Sequence, residues 1–184
     1  MTRINTPRLD FVRVTFFNQI IFEIPRLVHF ISRNPSLKAP DSARVVSHGS
    51  FLSLRFPSQT NDSGMFDVST LCDDSDWQLS FLEQICISFL PLLSTVENLY
   101  IYDDNYSLLG RKEAIESALW LDLLRPFTTV KSLYLCKIFA PRIAPALEEL
   151  VGSRRVEVLP TLQNIFLEEL ALHANQSFLQ VFPV

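Results

Sequence analysis

Apolar residues along this chain recur in two rhythms, one of strands and one of helices. Three segments align without gaps: Val96-Glu-Asn-Leu-Tyr-Ile101, Val130-Lys-Ser-Leu-Tyr-Leu135 and Leu162-Gln-Asn-Ile-Phe-Leu167. Each reads apolar-x-x-apolar-aromatic-apolar, and the alternation at its end is that of a strand with one buried face. Leu99 and Leu133 stand 34 residues apart, Leu133 and Ile165 stand 32 apart, and Pro91, Pro126 and Pro160 precede the three copies by a few residues. Fainter copies begin at Leu9 (Leu9-Asp-Phe-Val-Arg-Val14) and at Ala43 (Ala43-Arg-Val-Val46), again 34 residues apart. Between Ala43 and Val96 the interval is longer. It holds two more alternating runs, Phe51–Phe56 and Phe66–Leu71, around a polar stretch from Pro57 to Gly64. These predict a hairpin inserted over residues 49–72.

Helical periodicity fills the intervals. Trp77, Phe81, Ile85 and Phe89 recur every fourth residue with Leu82, Cys86 and Leu90 beside them, which predicts a helix with one broad buried face. Ser75 followed by Gln78 has the spacing of a capping box, and Pro91 closes the run. Ile115, Leu119 and Leu123 mark a second helix stopped by Pro126; a third spans Pro141 to Val151 with Gly152 as its C-cap and Pro145 in its first turns. A short helix over Ile24–Arg33 starts at Pro25 and ends before Pro35.

Strand, helix and strand again at this period is the sequence form of a parallel-stranded α/β solenoid, in which stacked units complete one another's core. The segments resemble degenerate leucine-rich repeats. The position usually held by Asn or Cys is Asp104, Ile138 and Leu170 in the three clear copies. More specifically, Phe22–Leu27, Ser75–Leu79, Val96–Tyr102, Leu119–Phe127, Phe139–Leu147 and Leu159–Leu167 resemble the repeat regions of fungal F-box-type proteins. The fold expected is therefore a leucine-rich-repeat-like α/β solenoid over residues 1–184. It has a mainly parallel sheet, helices on the outer face, about five irregular repeats and the hairpin insertion. The resemblance implies a region that recruits protein targets to a ubiquitin ligase. The F-box that binds the Skp1-type adaptor is not found, since the first repeat opens at Leu9, so that partner is expected only if an F-box lies upstream. Alternatives are a stand-alone repeat scaffold or truncated paralogue without a ubiquitin link and, third, an enzyme whose site is not recognisable.

Composition narrows the function classes. Of 184 residues, 48% are hydrophobic and 20% charged, with 15 Phe, which excludes a disordered chain and gives one domain ample core. No run reaches the ~20 apolar residues of a membrane span, and the residues from Met1 to Arg8 are not followed by the apolar core of a signal peptide. An intracellular protein, cytoplasmic or nuclear, is expected. In that setting Cys72, Cys86 and Cys136 are reduced thiols, and the Asn-x-Ser matches at Asn61, Asn105 and Asn175 are accidental. Residues 1–60 carry eight Lys/Arg against three Asp/Glu, and residues 61–184 eight against seventeen. The net charge of −4 argues against nucleic acid as a partner. The N-terminal arginines (Arg3, Arg8, Arg13, Arg26, Arg33, Arg44 and Arg55) are dispersed and read as solvated surface rather than an acidic docking patch.

No catalytic set assembles. Four scattered glycines form no phosphate loop. His29, His48 and His173 lack metal-ligand spacing. Asp73, Asp74 and Asp76 precede a helix N-terminus and read as capping charges rather than a cation site. Asp103 and Asp104 read as a solvated turn. Cys86 lies on the apolar helix stripe, and Cys136 has Lys137 but no histidine beside it. No catalytic residue, cofactor or metal is expected. The partner-binding candidates are Tyr100, Tyr134 and Phe166, at equivalent points of successive strands, with Asn98, Ser132 and Asn164 flanking them and Tyr102 edging the same face beside Cys136 and Glu168. Two readings of that ladder stand: aromatic anchors for an unidentified protein partner, or rings that support the sheet.

Overall fold

The structure, a computed structural model, describes residues 11–17, 24–33, 40–48, 50–57, 65–103, 117–137, 140–151 and 157–168. Seven strands and five helices follow in the order β1 (Phe11–Phe17), α1 (Ile24–Ser32), β2 (Ser42–His48), β3 (Phe51–Pro57), β4 (Met65–Leu71), α2 (Ser75–Ser88), α3 (Leu90–Leu93), β5 (Asn98–Asp103), α4 (Ser117–Leu124), β6 (Ser132–Cys136), α5 (Ala140–Val151) and β7 (Asn164–Glu168). Leu9, loop residues 58–64, Asp104, Asn105, Ile115, Gly152, Leu170, His173 and Asn175, on which some expectations rest, lie outside the described residues.

All seven strands join one sheet in the order β1-β4-β3-β2-β5-β6-β7. Strand β3 runs antiparallel to β2 and β4, and every other pairing is parallel. This mixed α/β sheet overturns the expected leucine-rich-repeat-like solenoid. The physical reason is the segment after β2. Only Gly49 and Ser50 separate β2 from β3, too short a link for anything but an antiparallel return. Strand β4 folds back on β3 in turn, and β1 pairs with the far edge of β4. The first two repeat strands, β1 and β2, therefore stand two strands apart, and repeats that each stack on their sequence neighbours do not form.

The hydrophobic core lies between one face of the sheet and the helices. Val14, Val68, Leu54, Val45, Ile101 and Leu135 share one register line across six strands, and the five side chains from Val68 to Leu135 are buried. Helix α2 covers this face with Leu79, Phe81, Leu82, Ile85 and Cys86 and with its C-cap residue Phe89, all buried. Phe81 packs 5.4 Å from Phe16 of β1, and Phe89 sits 5.4 Å from Phe66 of β4. Trp120, Leu121, Leu123 and Leu124 of α4 and Ile143 and Ala146 of α5 extend the layer. Each such large side chain taken fully out of water contributes roughly 1.5–3 kcal/mol before the entropy of ordering is counted.

Local details differ from expectation by small displacements. Helix α2 is capped by Asp74 rather than Ser75: its side chain accepts from the Trp77 N–H at 3.0 Å. The Gln78 amide reaches the Cys72 carbonyl. Leu90, expected on the buried stripe, begins the separate helix α3 and is exposed. Pro145 is the sixth residue of α5, beyond the turn whose N–H groups are free anyway, so it removes a helix bond at the Pro141 carbonyl.

A feature not read from the sequence fastens the repeat strands at their starts. Thr95, Thr129 and Thr161 occupy the same position, four residues before Leu99, Leu133 and Ile165. Each hydroxyl donates to a carbonyl one unit earlier: Thr95 to Pro40 at 2.8 Å, Thr129 to Val96 at 2.9 Å and Thr161 to Val130 at 2.9 Å. Backbone bonds repeat with them, from Asn98 N–H to the Asp41 carbonyl, Ser132 N–H to Glu97 and Asn164 N–H to Lys131.

Candidate functional site

The sheet face opposite the core carries the predicted site. Period-2 alternation sends Leu99 and Ile101 to the helices and Asn98, Tyr100 and Tyr102 to the other side. Parallel pairing in register then aligns Tyr100 with Tyr134 and Tyr134 with Phe166. The rings stack: Tyr100 on Tyr134 at 4.4 Å between centroids and 12° between planes, Tyr134 on Phe166 at 4.7 Å and 15°. Asn98, Ser132 and Asn164 form the neighbouring register line. Tyr102 pairs with Val46, packs partly against the core and lies at the edge of the ladder. The two tyrosines are half-buried and Phe166, on the edge strand, is exposed.

The row does not stop at Tyr100. Its register partner on β2 is Arg44, whose guanidinium lies 5.8 Å from the Tyr100 ring centroid. Arg44 faces Arg55 on β3, Arg55 faces Asp67 on β4, and Asp67 faces Arg13 on β1. One register line thus crosses the sheet as Arg13, Asp67, Arg55, Arg44, Tyr100, Tyr134 and Phe166. Its ionic half is knit by the buried Asp67, whose Oδ2 takes Arg13 Nε at 3.0 Å and Arg55 Nε at 3.2 Å. Beside it, Thr15 and Ser69 share a hydroxyl hydrogen bond of 2.9 Å.

The wide spacing of Arg13, Arg44 and Arg55 along the chain predicts a dispersed solvated surface. The structure brings these three together. Alternation placed each on a definite strand face, but the register that makes them neighbours depends on which strand edges meet, and no local pattern encodes that.

The electrostatics of the row follow from partial burial. Burial, then the neighbouring Tyr134, push the Tyr100 hydroxyl above the ordinary tyrosine range; Arg44 opposes the shift, and Glu168 and Asp41 add smaller upward pushes. Burial likewise raises the Glu168 carboxyl.

Elsewhere the described residues offer less. Asp73 accepts from the Ser50 hydroxyl, Asp74 caps α2, and Asp76 lies in its first turn. Among the described residues no group of three or more His, Cys, Asp or Glu side chains is placed to hold a metal. Cys86 is buried and its thiol pushed far up by that burial. Cys136 is buried as well, and Cys72 is partly exposed. No helix among them is long and apolar enough to cross a membrane. No protein-family model, no curated protein and no solved structure matches this chain.

Proposed function

We propose that this chain is a non-catalytic protein-binding module whose contact surface is the sheet face opposite the core helices. The observation that carries the reading is the in-register stack of Tyr100, Tyr134 and Phe166 beside the cationic Arg44. Large rings held by the sheet give contact area at low entropic cost, and Tyr and Arg are the residues that most often anchor protein interfaces. Stacking restricts these rings before any partner arrives, which lowers the cost of ordering them on binding. Through the resemblance to F-box-type proteins, the bound protein would be one destined for ubiquitination.

The test is a selection of random displayed peptides on the intact chain, with Tyr134→Ser as the counter-selected variant. Peptides that bind the wild-type chain and lose binding to Tyr134→Ser, while that variant keeps a cooperative melt, support the reading. Enriched peptides indifferent to Tyr134→Ser, Tyr100→Ser and Phe166→Ser overturn it and leave the ladder as support for the sheet.

A further inference from the structure

Resting on that protein-binding reading, we infer that the partner presents an extended acidic segment: a carboxylate seated on Arg44 and Arg55, and an apolar side chain about three residues away lying on the Tyr100–Tyr134 rings. The first ground is a charge imbalance within the row. Arg13 and Arg55 share a single carboxylate oxygen of Asp67, and Arg44 has no ion-pair partner among the described residues. Three cations thus stand against one anion along one line of the sheet. Asp41 and Glu168 touch this region only as small influences on Tyr100.

The second ground is the register. Arg44 and Arg55 are directly opposite on an antiparallel pair, where side-chain origins lie about 4.5–5.5 Å apart and like charges repel. A carboxylate from outside, accepting from both guanidinium groups, removes the repulsion that the fold leaves standing, and Arg is the cation whose planar fork suits a carboxylate. The third is access: the Arg55 side chain stays 29% exposed although its Nε lies 3.2 Å from Asp67 Oδ2, so the rest of its guanidinium is the part a carboxylate from outside would meet.

Spacing sets the ligand. The middle of the arginine pair and the middle of the tyrosine pair are two strand separations apart, about 10 Å. An extended chain covers that in about three residues. The cationic half and the aromatic half together therefore recognise an Asp or Glu with an aromatic or large aliphatic residue about three positions before or after it.

The probes are fluorescein-labelled Gly/Ser peptides containing Glu-Gly-Ser-Trp or Trp-Gly-Ser-Glu, with Gln-for-Glu and Ala-for-Trp controls, read by anisotropy against the full chain. Binding to at least one Glu–Trp order, weaker for both controls, is expected. Arg44→Gln and Arg55→Gln should each weaken it about fivefold, and added salt should weaken it further. Lys131→Gln removes an exposed cation already paired with Glu97, and should leave binding unchanged. A thermal melt of each variant confirms folding, and Arg44→Lys separates charge from fork geometry.

A Gln-for-Glu peptide that binds equally well, or indifference to Arg44→Gln, overturns the acidic-segment inference. The protein-binding reading survives that result if Tyr134→Ser still abolishes binding. Absence of binding by any of these peptides also overturns the inference, and the displayed-peptide selection then decides the broader reading separately. Arg44-dependent binding to phosphatidylserine vesicles without peptide binding, or an Arg44-dependent dimer in sedimentation, overturns it in favour of those occupants.

Discussion

The guanidinium of Arg44 lies 5.8 Å from the ring centroid of Tyr100, and this contact joins the ionic half of the sheet row to its aromatic half. It also opposes the upward shift that burial and Tyr134 impose on the Tyr100 hydroxyl. The folded-state pKa of Tyr100 lies above its unfolded value near 10, so the native state holds the phenolic proton more tightly. The linked stability is fully present below about pH 10 and is lost as pH rises through the native value. Thermal melts at about pH 9 and pH 11 should show a smaller loss for Tyr100→Phe than for the wild-type chain. Ultraviolet titration of Arg44→Gln should move the Tyr100 midpoint higher still. An equal loss in Tyr100→Phe would exclude this linkage.

Asp67 is the residue on which the ionic half depends. Its side chain is 2% exposed, while Arg13 is 52% and Arg55 is 29% exposed. Removing the carboxylate leaves two guanidinium groups facing each other with no anion between them, one of them largely desolvated. Asp67→Ala should cost about 2–4 kcal/mol in urea unfolding. Arg13→Ala, which leaves Asp67 paired with Arg55 and removes a half-exposed group, should cost about 1 kcal/mol or less. The order of the two losses is the discriminating result.

The two halves of the row were unequally legible in the sequence, and the reason is distance along the chain. Tyr100, Tyr134 and Phe166 repeat at a nearly constant interval, so in-register parallel pairing follows from the pattern itself. Arg13 meets Asp67 only because β1 pairs with β4 instead of β2, whose two edges are taken by β3 and β5. Strand edges are matched by global packing, and the alternation that reveals a strand is silent on its neighbour. The same limit explains the solenoid expectation: the repeat period holds across β5, β6 and β7, whereas β1 pairs with β4. The cap at Asp74 shows the opposite, local kind of error. Asp74 and Ser75 are both good caps, and a shift by one residue decides which of them meets the Trp77 N–H.

The threonines at the strand starts repeat in the sequence at one fixed position, four residues before Leu99, Leu133 and Ile165. Thr129 donates to the carbonyl of Val96 at 2.9 Å, and a second carbonyl, that of Leu93, lies at 3.4 Å. Thr129→Val keeps the volume and leaves these partly buried acceptors without their donor. A loss of about 1 kcal/mol is expected in chemical unfolding, and Thr129→Ser should recover most of it. Equal losses for Val and Ser would show that the methyl contact, not the hydroxyl, holds the strand start.

The three thiols differ in access. Cys86 and Cys136 are buried, whereas Cys72 is partly exposed, its sulfur 3.5 Å from the Asp74 N–H. Burial raises the Cys86 thiol and disfavours the thiolate that reacts. In native buffer a disulfide-exchange reagent should modify Cys72 alone, and the remaining two should react only in denaturant. Cys72→Ser should abolish the native reaction. A rapid second thiol in the native chain would mean that the core of α2 or the end of β6 opens readily.

Equivalent repeat positions need not be equivalent in energy. Leu99, Leu133 and Ile165 share one register line and one place in the pattern, yet Leu99 and Leu133 are fully buried and Ile165 is 50% exposed. The difference is topological. Strands β5 and β6 lie inside the sheet, beneath the layer of α2, α4 and α5, whereas β7 is its last strand. Leu133→Ala empties a space enclosed by Leu99, Leu135 and the helices, so it loses both the transfer energy of the side chain and the packing around the cavity. About 2–5 kcal/mol is expected. Ile165→Ala forfeits only the half of its surface that is covered and leaves no closed cavity, so about 1 kcal/mol or less is expected. Urea unfolding of both variants checks the pair. A loss at Ile165 as large as that at Leu133 would mean that β7 is buried in solution by a further layer. That layer would lie on the helix side of β7, opposite the face that carries Phe166.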